Sequence, residues 1–325
     1  MNIKKITALL CAVVMVLSLA ACGSDSGDKA DGSKHYTIGI CQLVQHEALD
    51  AATKGFRDAI TDALGADNVT FDAQNAAGDS ATCATICNGF VSSGVDLILA
   101  NATGALQAAA AATKDIPILG TAVTEYGVAL GIDNFSGTVG GNISGTSDLA
   151  PLDQQAAMIQ ELFPDAKNVG IIYCSGEPNS VYQVEVVKAA LEKTGCTVNT
   201  YTFSDTNDVV SVTGTASDAN DVLYIPTDNT AASCTEAINN VAEPAGVPIV
   251  TGEEGICKGC GIATLSIDYY ELGRTTGAMA AKILTGEANV SEMPIEYYQN
   301  PVKKYDAARC EALGITVPSD YVAIG

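Results

Sequence analysis

Val169-Gly170-Ile171-Ile172-Tyr173 runs into the polar turn Gly176-Glu177-Pro178-Asn179-Ser180 and then into a helical stretch from about Val181 to Lys193. The apolar run does not alternate, which is the pattern of a strand covered on both faces rather than one. The same grammar continues through Val198-Asn199-Thr200-Tyr201, a weak helical stretch near Asp208 to Thr215, Asp221-Val222-Leu223-Tyr224, a helix near Ala231 to Asn240, and Val247-Pro248-Ile249-Val250. It also occurs earlier. Tyr36-Thr37-Ile38-Gly39-Ile40, a helix from about Leu49 to Leu64, Val69-Thr70-Phe71, a helix near Ala81 to Ser92, Asp96-Leu97-Ile98-Leu99, a helix near Ala105 to Thr113 and Ile116-Pro117-Ile118-Leu119 follow in that order. Corresponding strands lie about 130 residues apart, so the chain reads as α/β, with two similar doubly wound parallel-sheet domains joined by a hinge.

Composition narrows the function. The 325 residues carry 16 Lys+Arg against 38 Asp+Glu, a net charge of −22, which repels a phosphate backbone and excludes nucleic acid as a partner. With 47% hydrophobic and 17% charged residues the chain has ample apolar surface for two cores. It contains 2 His and no Trp, so a His-rich metal centre is not expected, nor is any cofactor.

The first residues read as an address. Lys4 and Lys5 precede an uncharged run from Ile6 to Ala20, too short to span a bilayer comfortably, and Leu19-Ala20-Ala21-Cys22 resembles a lipoprotein box. The expectation is a signal peptide over 1–21, lipidation of Cys22, and a flexible tether over 22–35 rich in Gly, Ser, Asp and Lys. The protein would then be held at the extracytoplasmic face of the cell membrane. Nine cysteines remain beyond Cys22, an odd number that argues against a disulfide scaffold. Cys257-Lys258-Gly259-Cys260, read as a glycine-rich turn, is the local pair suited to a disulfide, whereas Cys83 and Cys87 are spaced as a helical pair.

Polar segments fall at the carboxyl ends of strands in both halves. In open α/β sheets that edge binds ligands, because helix amino ends and backbone amides converge there. Two such edges facing one another make a cleft that closes by hinge motion on a small molecule.

Seven blocks stand in order along the chain: Gln45-His46-Glu47-Ala48-Leu49-Asp50, Asn75-Ala76-Ala77-Gly78-Asp79, Ala122-Val123-Thr124, Gly141-Asn142-Ile143-Ser144-Gly145-Thr146-Ser147-Asp148, Gly176 to Ser180, Pro226-Thr227-Asp228-Asn229-Thr230 and Tyr269-Tyr270-Glu271-Leu272-Gly273. Together they resemble the substrate-binding proteins of ABC importers with the type I periplasmic-binding fold, and within them a group that binds tryptophan or related aromatic amino acids. The resemblance covers Tyr36 to the C-terminus. One departure is Glu125-Tyr126, where the family usually has Asp-Pro. The resemblance implies three chain passages between lobes, with residues 36–147 plus 268–292 forming the first lobe and 148–267 plus 293–325 the second. Asp268 to Gly286 would return to the first lobe as a helix, and the last strand, within Glu296-Tyr297-Tyr298-Gln299, would join the second. It further implies a monomer that delivers its ligand to an ABC permease, or alternatively a sensor feeding a membrane signalling receptor.

A zwitterion needs an acidic acceptor for its ammonium and donors for its carboxylate. Asp148, Asp228 and Glu253 could serve as the acceptor. Thr103, Thr124, Asn179, Ser180 and Asn229 are donors near helix amino ends, and Gln45 and His46 occupy the loop after the first strand. Asp148, Asp228 and Ser180 suit plain helix capping equally well. Tyr126, Tyr173, Tyr182 and Tyr224 could stack on a ligand ring or pack in the cores. A nucleoside or a sugar is the alternative ligand. Catalysis is not expected. Cys41 and Cys174 end strands and His46 follows Cys41 closely, but no group orients that base, and neither GxGxxG nor GxxxxGK[ST] occurs.

Overall fold

The structure is a computed structural model that describes residues 34–325; the signal-peptide and Cys22 expectations fall outside these residues. Strand β1 (Tyr36–Gln42) is followed by α1 (Glu47–Leu64), β2 (Val69–Asn75), α2 (Ser80–Ser93), β3 (Leu97–Asn101), α3 (Thr103–Ala112), β4 (Ile118–Val123), α4 (Tyr126–Leu130) and β5 (Ile143–Ser147). Next come α5 (Leu152–Leu162), β6 (Asn168–Cys174), α6 (Pro178–Lys193), β7 (Thr197–Phe203), α7 (Val209–Ala219), β8 (Val222–Ile225), α8 (Asn229–Ala232), α9 (Thr235–Ala245), β9 (Ile249–Thr251), α10 (Glu254–Cys260) and β10 (Ala263–Ser266). The chain ends with α11 (Tyr269–Thr285), β11 (Glu296–Tyr297), β12 (Val302–Tyr305), α12 (Ala307–Ala312) and β13 (Val322–Ala323).

The strands form two sheets. The first has the order β11-β5-β4-β3-β1-β2 and is parallel throughout. The second runs β13-β12-β10-β9-β8-β6-β7, with β12 antiparallel to β10. The central strands β3, β4, β8 and β9 are buried along their whole length, as expected of sheets sandwiched between helices. Each sheet has one apolar cluster on either face, for example Leu49, Phe90 and Ile98 against Phe56, Ile60 and Leu99 in the first.

The chain passes between the sheets three times: from β5 into α5, which packs on α6 and β10; from β10 into α11, which packs on α1 and β4; and from β11 into β12. Here one expectation is corrected. Glu296–Tyr297 pairs with Thr146–Ser147 in the first sheet, and it is Val302–Tyr305 that enters the second, so the last crossing follows Tyr297 rather than preceding residue 293. Beyond the parallel edge of β5 an extended segment finds open backbone groups to pair with, whereas the second sheet is reached only after the unpaired residues 298–301. A second correction concerns the cysteines. Cys257 and Cys260 lie on one turn of α10 as buried free thiols, and the nine described cysteines carry no disulfide.

The returning helix α11 meets α1 at unusually close range. A Cβ on Gly273 would lie 2.0 Å from the Ala52 carbonyl oxygen, and one on Gly55 would lie 2.0 Å from that of Tyr270. Only glycine allows the two backbones this approach.

Candidate functional site

The loops that leave the carboxyl ends of β1, β2 and β3 face those that leave β6, β7 and β8. Between them is a cavity of about 350 Å³, within the roughly 300–1,000 Å³ of small-ligand sites. The first lobe contributes Leu43, Val44, Gly78, Ser80 and Gln107; the second contributes Cys174, Glu177, Asn179, Asp205, Asn229 and Thr230. No Lys or Arg is among the described residues lining it, and Glu177 and Asp205 make it acidic.

Glu177 organises the second-lobe wall, although the sequence reading took it only as part of a turn. It precedes Pro178, which starts α6 without a backbone donor of its own. One carboxylate oxygen accepts from the Asn229 backbone (3.0 Å) and side chain (2.7 Å) and from Asn179 Nδ2 (3.1 Å). The other accepts from the Thr230 backbone (2.8 Å) and hydroxyl (2.7 Å). Five donors on one buried carboxylate fix the orientation of Asn179, Asn229 and Thr230 toward the cleft. Asn179 Nδ2 also reaches Ser180 Oγ and the Thr227 carbonyl, at 3.3 and 3.2 Å.

The expected acidic residues divide by what they already hold. Asp228 caps α8 through Ala231 N (2.8 Å) and accepts from Cys174 N (2.7 Å); burial, and then the charge of Glu177, pushes its carboxyl up to about 8. Glu253 caps α10 through the amides of Gly255 (2.6 Å) and Ile256 (2.5 Å), and burial pushes it up to about 7. Asp148, one residue past β5 at the first crossing, accepts the Tyr269 hydroxyl on Oδ2 at 3.0 Å, while Oδ1 is buried with no hydrogen-bond partner.

On the first lobe, Thr103 opens α3 and Thr124 follows β4, both buried at the sheet edge. Gln45 is exposed and bonds Asp50 at 3.5 Å, outside the cleft. His46 Nε2 lies 3.2 Å from Asn229 Oδ1, so the lobes touch here; burial lowers its pKa, which keeps the ring neutral. Next to it, Glu47 pairs with Lys258 across the mouth of the cleft. Ala77 (φ 53°), Ala102 (φ 87°) and Ala122 (φ 51°) stand at or just beyond the ends of β2, β3 and β4 with left-handed φ, a costly conformation for alanine that clusters at binding edges.

The tyrosines are committed to structure. Tyr126 is buried and donates to the Thr146 carbonyl at 3.0 Å, Tyr224 is buried and donates to Gln155, and Tyr173 packs on the second core. Tyr182 is half-buried and faces Glu125 of the other lobe. Nothing here assembles a catalyst. Cys41 is fully buried among Cys83 and Cys87, whose hydrogen bonding together with burial pushes its pKa up, and burial does the same to Cys174.

Residues 37–323 match the family described as ABC transporter substrate binding protein. The tyrosine-binding protein of Clostridioides difficile R20291 is 38% identical over 302 residues, covering 90% of this chain and 87% of that one. A Streptococcus pneumonia domain solved in complex with L-Trp is 33% identical and superposes with a TM-score of 0.84 over 88% of this chain and 97% of that one. The ligand-free, open structure of CD0873, a substrate-binding protein with adhesive properties from Clostridium difficile, is 36% identical over 89% of this chain and 100% of that one, yet gives a TM-score of 0.68. Higher identity with a poorer whole-chain superposition indicates a different angle between lobes, in line with the touching lobes found here. The architecture is that of the type I two-lobed binding proteins. The chain belongs to the substrate-binding proteins of ABC transporters, a family that captures solutes and does not transform them.

Proposed function

We propose that this protein captures an aromatic amino acid, tyrosine or tryptophan, between its lobes at the extracytoplasmic face of a membrane, anchored through lipidated Cys22, and delivers it to an ABC permease. The observation that carries this reading is the cleft: two sheet edges enclose a volume suited to one small molecule, with polar groups of both lobes turned inward. Support comes from the relatives that bind tyrosine and L-Trp. The acidic wall without Lys or Arg disfavours dicarboxylic amino acids, phosphorylated sugars and nucleotides, whose charge would meet no counter-ion.

A thermal-shift series separates the ligand classes. At one hundred times Kd the true ligand adds about 2.7 kcal/mol, raising Tm by roughly 5–10 °C. Tyrosine or tryptophan produces that rise; glutamate, nucleosides and sugars do not. A response confined to nucleosides or sugars rejects the amino-acid assignment. For the anchor, the full-length chain partitions into detergent from cell extracts, and Cys22→Ala moves it to the aqueous phase; an unchanged partition removes the lipid.

A further inference from the structure

Glu177 meets five donors with its two oxygens and donates nothing in return, because a carboxylate only accepts. That one-sidedness is passed along. Asn229 gives Nδ2 to one Glu177 oxygen at 2.7 Å and its backbone amide to the same oxygen at 3.0 Å, which leaves Oδ1 for the first lobe. There Oδ1 stands 3.2 Å from His46 Nε2. Turning the Asn229 amide round would set two acceptors face to face and forfeit the bond to Glu177. Glu177 and Asn229 are each 8% exposed, so little water reaches either of them to mend a mismatch.

The first lobe is therefore met by an acceptor. A neutral imidazole carries one donor and one acceptor, and burial keeps His46 neutral. The tautomer with its proton on Nε2 makes the bond, whereas the other brings lone pair against lone pair. His46 precedes α1 in an extended conformation and gives that helix no side-chain cap. Among the described residues its ring has no hydrogen-bond partner but Asn229.

We infer that Glu177, acting through Asn229, decides what the first lobe must present for the cleft to shut: a hydrogen-bond donor at position 46, supplied by the Nε2–H of His46. Glu177 is a positioning residue for capture, and the relay runs one way, from His46 to Asn229 to Glu177. It deepens the amino-acid reading above and rests on it for the guest that shuts the cleft. Shutting trades two hydrated groups for one hydrogen bond when a donor stands at 46, and strands Asn229 Oδ1 when none does. Only the shut form encloses the guest, so affinity reports the match.

The test is calorimetry and NMR on the full soluble chain with L-tyrosine and L-tryptophan. His46→Ala weakens binding about 5–10-fold, and the conservative His46→Gln, which restores a donor, recovers affinity to within about twofold of wild type. His46→Glu, equal in size to Gln but without a donor, weakens binding about 30-fold, and does so also in 1 M salt, where repulsion by the rest of the acidic chain is screened. The chain has 2 His, so nitrogen-15 NMR of His35→Gln reads a single imidazole. The amino acid brings out a slowly exchanging proton on His46 Nε2 and none on Nδ1, and one Asn229 Nδ2 proton exchanges slowly with or without it. Equal affinities of the Gln and Glu variants, or a Gln variant as weak as the Ala variant, overturn the relay while the amino-acid reading survives. A proton on Nδ1 in the filled chain, or free exchange of both Asn229 amide protons, does the same. Failure of the wild type to bind either amino acid instead removes the reading itself, and this inference with it.

Discussion

Gly273→Ala destabilises the protein by about 3 kcal/mol and lowers Tm by roughly 6–12 °C, although the same change in an unhindered helix stabilises. Alanine in a helix interior is favoured over glycine by roughly 0.5–1 kcal/mol, so propensity alone predicts a gain. Packing opposes it. The new Cβ would lie 2.0 Å from the Ala52 carbonyl oxygen and 2.8 Å from its carbonyl carbon, both rigid backbone atoms. Relief requires α11 to withdraw from α1 by more than an ångström, which also loosens the contacts of Leu272 and Met279 with the first-lobe core. Gly89→Ala is the control: Gly89 lies within α2, is exposed, and a Cβ there meets nothing within 4 Å, so its Tm rises slightly. Equal shifts for the two variants, or a rise in Tm for Gly273→Ala, would rule out the close helix contact as the explanation.

The second large effect is on pH. Without ligand, the protein becomes more stable as pH falls from 8.5 toward 5. Asp228 is pushed up to about 8 and Glu253 to about 7, against ordinary values of 3.8 and 4.5. Between those limits the folded chain holds more protons than the unfolded one, so the stabilisation is complete below pH 4 and disappears as pH rises through 7 and 8. Both groups are almost completely buried, and the combined change is on the order of several kcal/mol. Two effects act the other way at lower pH. His46, with its pKa lowered by burial, must charge when the chain unfolds, and Asp221, held below its ordinary range by the amides of Asn168 and Lys167, loses those bonds when protonated. The profile therefore peaks between about pH 4.5 and 6. A Tm that is flat or climbs from pH 6 to 8.5 contradicts the burial of two such carboxyls, and Glu253→Gln reduces the slope near pH 7.

Much of the fold was legible because buried parallel strands are continuous apolar runs: β1, β6, β8 and the long amphipathic α11 were all apparent. The missed pieces share a cause. Ile143–Ser147 alternates small and hydroxylated residues, and its burial comes from Tyr126, whose ring fills the place that side chains on Gly120 and Gly145 would take. The α10 segment contains two glycines in seven residues and reads as a turn; it is helical because Glu253 caps it and because Arg309 binds the carbonyls of Cys257, Gly259 and Gly261 from the far end of the chain. The site was readable as a set of positions but not as roles. Asp148, Asp228 and Glu253 look alike in sequence. Only the hydrogen bonds reveal that two of them have both oxygens occupied and one does not. Glu177 carried no signal beyond preceding a proline, because its five donors come mostly from residues some fifty positions away.

The contact between Glu47 and Lys258 is half-exposed, and its neighbour is a single uncharged hydrogen bond from His46 to Asn229. An exposed ion pair contributes about 0–1 kcal/mol and such a hydrogen bond about 1. A clasp this light cannot keep a vacant receptor shut. The balance between open and shut forms is therefore set by what a guest adds across the cleft.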